Sequence, residues 1–518
     1  MKIRKARIYA VCITVLFSLT IVSTITTAVK IPGKEAMNID AVRNISYPNH
    51  LLPHRNMASY KSADQIKQPN PQYITIDLAE ATDPLGVTNS EAVGINNNGE
   101  IVGFEELDAF KYRSIYWSQN GTASILENNE GDNSSRPYMI DDNGLILGWS
   151  ALVWYEWIGE FQKLHMNQTA VTWKDKVVLS LNDEITGGDT LDLYHARDNN
   201  DAGTIVGSGA PPGNIPPPWW PNGFIFDDGI VTDLGTGTYP YAINNQGHIA
   251  GYIDADFNHA YEWENGNLID LNDDPIIKAN YSQAYDINDN NVVVGTCQYS
   301  YNSSYPAPNY EPAVWKNHEA IRILPTGHQY MGQANAVNEN DEVIGYYDDL
   351  DAGTSNAFLW KDGELTILND YLPAEQGWEW IVPDDINDYG QIVGFGYRTD
   401  IGFRAFLMTP ALPIFNIEIK GGTGITASIK NTGYAPATNL SWSIVVDGGL
   451  IVLGKETTGS IPTIAVGEKL TVLGAPKGIG LGIIFPMPSI KINIICTEGV
   501  TATKTIQAKI FFSKVTLQ

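Results

Sequence analysis

The sequence is 518 residues long and 43% hydrophobic, and it carries 59 acidic against 32 basic residues, for a formal charge of −27. The hydrophobic content excludes a mainly disordered chain. The acidic surplus argues against nucleic acid and anionic lipid surfaces as partners, because like charges repel. The three cysteines, Cys12, Cys297 and Cys496, are too few and too dispersed to predict a disulfide framework.

The first 28 residues have the pattern of a secretory signal peptide. A basic start precedes an uncharged apolar run at residues 8–22, and Thr26, Thr27 and Ala28 form a small-residue cleavage site. The alternative is an uncleaved N-terminal membrane anchor, because the uncharged stretch extends to residue 29 and a membrane span needs about 20 residues. Either reading places the rest of the chain outside the cell or at its surface, with membrane contact only through this segment if it is uncleaved.

A repeat occupies residues 72–410, after residues 29–71, whose Asn, Lys, Ser and Pro content predicts a flexible linker. Its pattern is A-x-x-I-N-x-x-G-x-I-V-G, a variable loop, A-F-x-W, a glycine turn and an apolar strand. The spacing of the copies is that of a blade of four short strands. The glycines that end the second strand are Gly103, Gly148, Gly207, Gly251, Gly295, Gly345 and Gly394.

An Asn- and Asp-rich turn is predicted between the first and second strands of each copy. Glycine at the end of this turn supplies a positive φ, and Asn or Asp can replace it because both tolerate the left-handed backbone. The residues at this position are Gly99, Gly144, Gly203, Gly247, Asn291, Asp341 and Gly390.

The seventh copy lacks its fourth strand, since the pattern ends at Met408. Residues 73–78, Tyr-Ile-Thr-Ile-Asp-Leu, match that strand and precede the first copy. We therefore predict an all-β fold in which a seven-bladed β-propeller is closed by this N-terminal strand, because closure leaves no sheet edge unpaired. A linear solenoid is the alternative.

The repeat resembles the HAF repeat of probable extracellular proteins, which is named for a His-Ala-Phe triplet. The triplet occurs here as His259-Ala260-Tyr261, Asn356-Ala357-Phe358 and Arg404-Ala405-Phe406. The resemblance covers roughly residues 73 to 409 and implies an extracellular repeat protein. It supplies no catalytic motif, and the histidine survives only in the fourth copy, so it is not a repeated ligand.

Residues 411–518 have a different pattern, in which alternating strands are separated by Gly and Asp turns. This spacing predicts a β-sandwich of about 100 residues. The Asn431-Thr432-Gly433 turn, followed by a strand of the form A-x-N-L, resembles adhesion-type Ig-like modules of prokaryotic surface proteins. That resemblance implies a spacer or attachment module.

The long, variable connections of the predicted propeller share one face. In a four-stranded meander the 2–3 and 4–1 connections lie on the same side, and variable loops on a rigid scaffold commonly carry function. These connections are aromatic and acidic, a combination that can bind sugar rings or peptide segments, although the rings could instead pack within their own loops. The residues predicted to bind ligand are Trp154, Trp157, Trp219, Trp220, Tyr346 and Trp378.

First strands are predicted to line the channel, where one column of positions contains three carboxylates. A ring of this kind could bind a cation or support acid–base chemistry. The simpler interpretation is that the carboxylates accept hydrogen bonds from turns or channel water. The column is Gly94, Met139, Asp198, Ala242, Asp286, Ala336 and Asp385.

Two acidic loops leave calcium open as a cofactor: Asp254 with Asp256, and Asp348 with Asp349 and Asp351. Neither has the full spacing of a known calcium loop. The sequence has no nucleophile elbow, zinc-binding helix or phosphate-binding loop. We therefore assign no catalytic residue, no metal ligand and no cofactor.

The sequence favours an extracellular or cell-surface binding or adhesion protein that recognises a glycan or a protein through the long-loop face. A secreted hydrolase or lyase acting on polysaccharide is one alternative, for which a pair of carboxylates about 5–10 Å apart in a loop-lined pocket would be the mark. A purely structural surface protein is the other.

Overall fold

The described residues of this computed structural model fall into two compact units, one of Thr75–Met408 and one of Thr409–Gln518 together with Tyr73 and Ile74. The predicted export segment, residues 1–28, and the predicted linker, residues 29–71, lie outside the described part. No helix among the described residues is long and apolar enough to cross a membrane. The described ranges are 73–78, 89–108, 110–158, 161–213, 221–254, 258–273, 276–277, 281–299, 310–326, 328–399, 401–433, 435–482, 486–497 and 500–518.

The protein is all-β, and short strands rich in Val, Ile and aromatic residues make up most of the first unit. Strands β1 to β29 are Tyr73–Asp77, Ser90–Ile95, Ile101–Asp108, Lys111–Trp117, Ala123–Ile125, Ser134–Ile140, Ile146–Ile158, Phe161–Lys174, Val177–Ser180, Gly187–Gly188, Asp192–Asn199, Ile205–Ala210, Asn222–Asp227, Ile230–Thr236, Thr238–Ile243, Ile249–Asp254, Asn258–Glu264, Asn267–Asp270, Ser282–Ile287, Val292–Cys297, Glu311–Lys316, Glu319–Arg322, Tyr330–Val337, Val343–Asp349, Thr354–Lys361, Glu364–Ile367, Trp378–Ile386, Ile392–Arg398 and Gly402–Pro410. Short 3-10 helices are Leu181–Glu184, Leu271–Asp273, Leu368–Tyr371 and Ala374–Gln376.

Within the described residues these strands form seven small sheets, each containing one copy of the repeat. Five sheets hold four strands in chain order: β2–β5, β6–β9, β15–β18, β19–β22 and β23–β26. The third sheet, β11–β14, gains the short strand β10 parallel to β14. The seventh has the order β1-β29-β28-β27, so β1 is its outer strand, which is the pairing predicted from the missing strand of the last copy.

The glycine that recurs in the second strand is required by a bulge in the first strand. A β-bulge shifts the register of each first strand against the second. In the fifth sheet a Cβ on Gly295 would lie 2.0 Å from the carbonyl oxygen of Gln283 and 2.9 Å from Cα of Ala284. A Cβ at each equivalent glycine would lie 1.9–2.2 Å from the corresponding carbonyl oxygen of its own sheet, so steric exclusion explains the repeated glycine.

The turn between the first and second strands has the predicted left-handed residue in all seven copies. Asn291 and Asp341, which replace glycine in two copies, have φ of 57° and 58°. The glycines at the other five positions have φ between 71° and 85°. The prediction that Asn and Asp substitute for glycine here is confirmed.

A hydrogen bond from an Asn side chain, repeated in most of these turns, also links neighbouring sheets. Asn288 accepts hydrogen bonds from the N–H groups of Asn290 (3.1 Å) and Val292 (2.9 Å), and its Nδ2 donates to the carbonyl of Asn338 in the next sheet at 2.9 Å. Equivalent donations continue from the seventh sheet to the first. They run from Asn96 to Asp141, Asn200 to Asn244, Asn244 to Asn288, Asn338 to Asn387 and Asn387 to Asn96.

The second unit consists of two sheets around one apolar core. Ile417 and Ile425 from the sheet β30-β32-β36 share this core with Leu440 and Ile492 from the larger sheet, which contains β33, β35, β38, β39 and β40. Strands β30 to β40 are Phe415–Lys420, Gly422–Thr423, Ile425–Asn431, Ala437–Asp447, Leu450–Leu453, Glu456–Ile464, Lys469–Gly474, Lys477–Gly480, Ser489–Ile495, Thr501–Phe512 and Lys514–Leu517.

Candidate functional site

The bulges of the first strands turn one residue of each sheet toward a common cavity of about 240 Å³. A bulge re-aims the side chain of the extra residue, which cannot pair with the neighbouring strand. The seven bulged residues therefore form a ring around the cavity. They are Val93, Tyr138, Arg197, Tyr241, Tyr285, Asn335 and Asp384.

Three carboxylates predicted for the channel border the same cavity, and each joins two sheets. Asp198 accepts hydrogen bonds from the N–H groups of Asn199 (2.9 Å) and of Ile243 in the next sheet (2.8 Å). Asp286 and Asp385 repeat this geometry, and Asp385 reaches from the seventh sheet to Ile95 in the first at 2.8 Å. Both oxygens of each carboxylate therefore accept a backbone N–H, which agrees with the simpler interpretation of the column.

Burial raises the pKa of all three carboxyl groups. The pKa of Asp198 is raised to about 7 and that of Asp385 to about 6, although backbone N–H donors partly oppose the rise. Burial also raises the pKa of Asp286 well above its ordinary value, with Asp198 and Asp385 adding repulsion. Raised pKa values occur in structural hydrogen-bond networks as well as in functional sites, so they do not by themselves assign a function to these carboxyl groups.

Arg197 is the most exceptional residue of the ring, because its guanidinium lies between two tyrosine rings. Its Cζ is 4.1 Å from the centroid of Tyr138 and 4.7 Å from that of Tyr241. Arg197 is partly accessible, and no described residue accepts a hydrogen bond from its side chain. Burial opposes the charge, but Tyr138, Tyr241 and Tyr252 offset it, and the pKa of Arg197 is raised.

A second arginine beside the cavity is engaged by the protein itself. Arg136 forms an ion pair with Glu91 at 3.1 Å and lies over the ring of Phe104 at 4.1 Å. Burial raises the pKa of Glu91, and Arg136 partly opposes this. Burial, and then Arg197 and Arg136, lower the pKa of His195 well below its ordinary value, so this neighbour of the two arginines is neutral.

The acidic loops predicted as calcium sites have different outcomes. His328, Asp349 and Asp351 bring their ligand atoms within 4.8 Å of one another, the arrangement a metal ion would need, but two of the three are exposed. Among the described residues the channel carboxylates do not converge in this way. Asp256 lies outside the described residues. Calcium binding stays a prediction.

Two of the predicted ligand-binding residues, Trp154 and Trp157, lie on an exposed hairpin. Strands β7 and β8 have 13 and 14 residues and stay paired out to residues 158 and 161, so this connection is a two-stranded extension and not a loop. Trp157 is 67% exposed and Trp154 is 42% exposed. Trp154 stacks on His165 at 4.9 Å, which holds its ring in place while one face stays open.

Two other predicted residues lie elsewhere than the sequence suggested. Tyr346 is inside β24, because this strand stays paired as far as Asp349. Its ring packs against Trp380 and Phe395. Trp378 begins β27, is buried against Phe406, and donates a hydrogen bond to a neighbouring glutamine. Their placement in exposed connections is wrong, since both rings fill space at the edges of the sheets. Trp219 and Trp220 lie outside the described residues.

Sequence reasoning missed Arg197, although it identified the next residue as part of the channel column. In a regular strand, neighbouring residues point to opposite faces, so Arg197 and Asp198 would not share a surface. The bulge breaks this alternation and brings both to the cavity. A recurring polar residue directly before the column, as at Asn335 and Asp384, was the available signal.

Comparison with known protein families matches part of the chain. The family model described as "Protein of unknown function (DUF3466)" matches residues 260–404. No curated protein matches the chain.

Several solved structures are similar to the chain at low identity. An acylaminoacyl peptidase from Pyrococcus horikoshii shares 11% identity with a TM-score of 0.39, over 69% of this chain and 59% of its own. Prolyl oligopeptidase B from Galerina marginata shares 10% with a TM-score of 0.35, over 70% and 58%. Trypanosoma rangeli sialidase shares 10% with a TM-score of 0.30, over 81% and 83%. The chain thus spans less than two thirds of the two peptidases, and similarity this low transfers no activity.

Proposed function

We propose that the seven sheets of residues 73–410 form a closed seven-bladed β-propeller of HAF-like repeats. Two hydrogen bonds between the seventh and first sheets support closure, one from Ile95 N–H to Asp385 and one from Asn387 Nδ2 to the carbonyl of Asn96. The outer position of β1 in the seventh sheet supports it as well. Residues 411–518 are proposed as an Ig-like module, and residues 1–28 as the export segment or anchor.

On this scaffold the protein acts as an extracellular or cell-surface binding or adhesion protein for a glycan or a protein. The observation that carries the proposal is the β7–β8 hairpin, on which Trp154, Tyr155 and Trp157 are 42%, 37% and 67% exposed. The strands pair without a bulge, so Tyr155 and Trp157 lie on one face of the hairpin and Trp154 on the other. The exposed pair of Tyr155 and Trp157 brings an unfavourable apolar area into water, which a partner would cover. Aromatic rings are also the side chains that most often anchor sugar rings and peptides.

A glycan array and a panel of extracellular matrix proteins, probed with the full-length chain, test this proposal. Trp157→Ala should weaken binding to any positive partner by about 1–3 kcal/mol, roughly a 5- to 150-fold loss. Tyr389→Ala is the matched control, since Tyr389 is 65% exposed but lies in the turn at the opposite end of the strands. Absence of any partner, or equal loss in both variants, would contradict binding through the hairpin and favour a structural surface protein.

A second function, cleavage of polysaccharide by a hydrolase or lyase, is favoured by one observation. Glu91 and Asp384 both border the cavity, and burial raises the pKa of each, with the charge of Glu91 adding to the rise at Asp384. A carboxyl group whose pKa is raised can hold a proton for general acid catalysis, which such chemistry uses. Release of reducing ends from any array-positive polysaccharide, lost in Asp384→Asn, would establish this function in place of binding alone.

A further inference from the structure

The edge of the Arg197 guanidinium is a set of hydrogen-bond donors with no acceptor in the described protein. The Cζ of Arg197 lies 4.1 Å from the ring centroid of Tyr138 and 4.7 Å from that of Tyr241, and neither contact is a hydrogen bond to its N–H groups. Arginine has five N–H donors that lie in the plane of the guanidinium, so they point outward from its edge. Because Arg197 is partly accessible, these donors are open to an acceptor that enters the cavity from outside.

Four of the five carboxyl groups that line the cavity are held by other partners. Asp198, Asp286 and Asp385 direct both oxygens at backbone N–H groups of their own and the next sheet. Glu91 is engaged by Arg136 at 3.1 Å. The positive charge of Arg197 is therefore balanced by tyrosine rings and not by an ion pair.

A contrasting arginine shows what the protein does when the contact is purely structural. Arg322 also lies over a tyrosine, Tyr299, at 5.2 Å. Its Nε and Nη2 donate to Glu311 at 2.9 and 2.8 Å, so the fork is satisfied within the same sheet. Arg197 has the stacking without the acceptor, and it faces a cavity.

We propose that this cavity binds the carboxylate of a small organic acid, with Arg197 as the residue that holds it. A planar fork matches the two oxygens of a carboxylate, and the contacts of Cζ with the Tyr138 and Tyr241 rings hold the guanidinium beside the cavity. The volume of about 240 Å³ is below the roughly 300–1,000 Å³ of sites for drug-sized ligands, so the acid is of monosaccharide or amino-acid size. This site is separate from the hairpin surface and does not depend on the function proposed for that surface.

Calorimetric titration of the full-length protein with D-glucuronate, and with D-glucose as its uncharged counterpart, tests the assignment. Acetate tests the carboxylate alone, and inorganic phosphate tests a general anion site. The wild-type protein should bind glucuronate and not glucose, and glucuronate should raise its unfolding temperature. Arg197→Lys, which keeps the charge but loses the fork, should weaken binding at least tenfold, whereas Arg322→Lys should leave it unchanged.

Unfolding temperatures of the variants separate loss of the site from loss of the fold, and Tyr241→Phe, which keeps the stacked ring, should still bind. Trp157→Ala should bind glucuronate as the wild type does, so failure of the hairpin proposal and failure of this one are distinguishable. The proposal is overturned if neither glucuronate nor acetate binds the wild-type protein, if a folded Arg197→Lys binds equally well, or if phosphate binds as tightly as the carboxylates.

Discussion

Asp385 offers a direct test of how the carboxylates beside the cavity stabilise the first unit. Its two oxygens accept the N–H groups of Ile386 and of Ile95 in the first sheet, both at 2.8 Å. Asp385→Asn keeps the volume and one acceptor but sets an amide NH2 group against the other N–H. An unsatisfied buried donor costs about 1–3 kcal/mol, so the variant should lose about this much stability at pH 4.5.

The pH dependence of this loss follows from the pKa of Asp385, which burial raises to about 6 from 3.8. A carboxyl group with a raised pKa binds its proton more tightly in the folded state, so its contribution to stability is full below about pH 4 and is lost as the pH rises through 6. At about 1.4 kcal/mol per pH unit, this is about 3 kcal/mol over the full titration, and about 2 kcal/mol of it falls between pH 4.5 and pH 8. Asp385→Asn removes this term, so its stability should fall less with rising pH than that of the wild type.

The measurement is urea unfolding at pH 4.5 and pH 8, read by hydrogen exchange of peptides from β2, β27 and β28. Peptide resolution separates this unit from the second unit, for which a single two-state transition cannot be assumed. Asp362→Asn is the control, because Asp362 is exposed in the turn between β25 and β26 and should show the wild-type pH dependence. An equal or steeper fall in stability for Asp385→Asn would refute the argument.

Two further predictions concern the repeat itself. Asp141 is the one position in the described turns where a carboxylate replaces the donating Asn, and its second oxygen accepts a long hydrogen bond from Asn199 in the next sheet at 3.4 Å. Asp141→Asn exchanges this contact for a donated bond and should change the free energy of unfolding by less than about 1 kcal/mol, whereas Asn387→Asp loses its donation to Asn96 and should lower it by about 1 kcal/mol, both measured by urea denaturation. Gly295→Ala places a Cβ 2.0 Å from a carbonyl oxygen and should abolish soluble expression. The control is Gly266→Ala, whose Cβ would have nothing within 4 Å; because its φ is 84°, this variant should lose about 1–2 kcal/mol of stability and stay folded. Equal expression and stability of the two variants would contradict the steric explanation.

The repeated backbone features could be predicted because they depend on neighbours in sequence. The left-handed turn positions, including Asn291 and Asp341, follow from the conformational freedom of Gly, Asn and Asp, and the pairing of β1 follows from the absence of a fourth strand after Met408. The carboxylate column was also found, since a strand period of two places equivalent positions of each copy on one surface.

What the sequence by itself determined was therefore the all-β fold, the number of repeats and the turns between their strands. Only the tertiary structure decided which side chains are exposed, because burial depends on residues that are distant in sequence. Tyr346 is covered by Trp380 and Phe395 of the next sheet, while Trp157 remains open because β7 and β8 extend beyond their neighbours. The position of Arg197 also depends on residues that are distant in sequence. A bulge turns its side chain toward the cavity, and tyrosines from two other sheets, 59 and 44 residues away in sequence, contact it there.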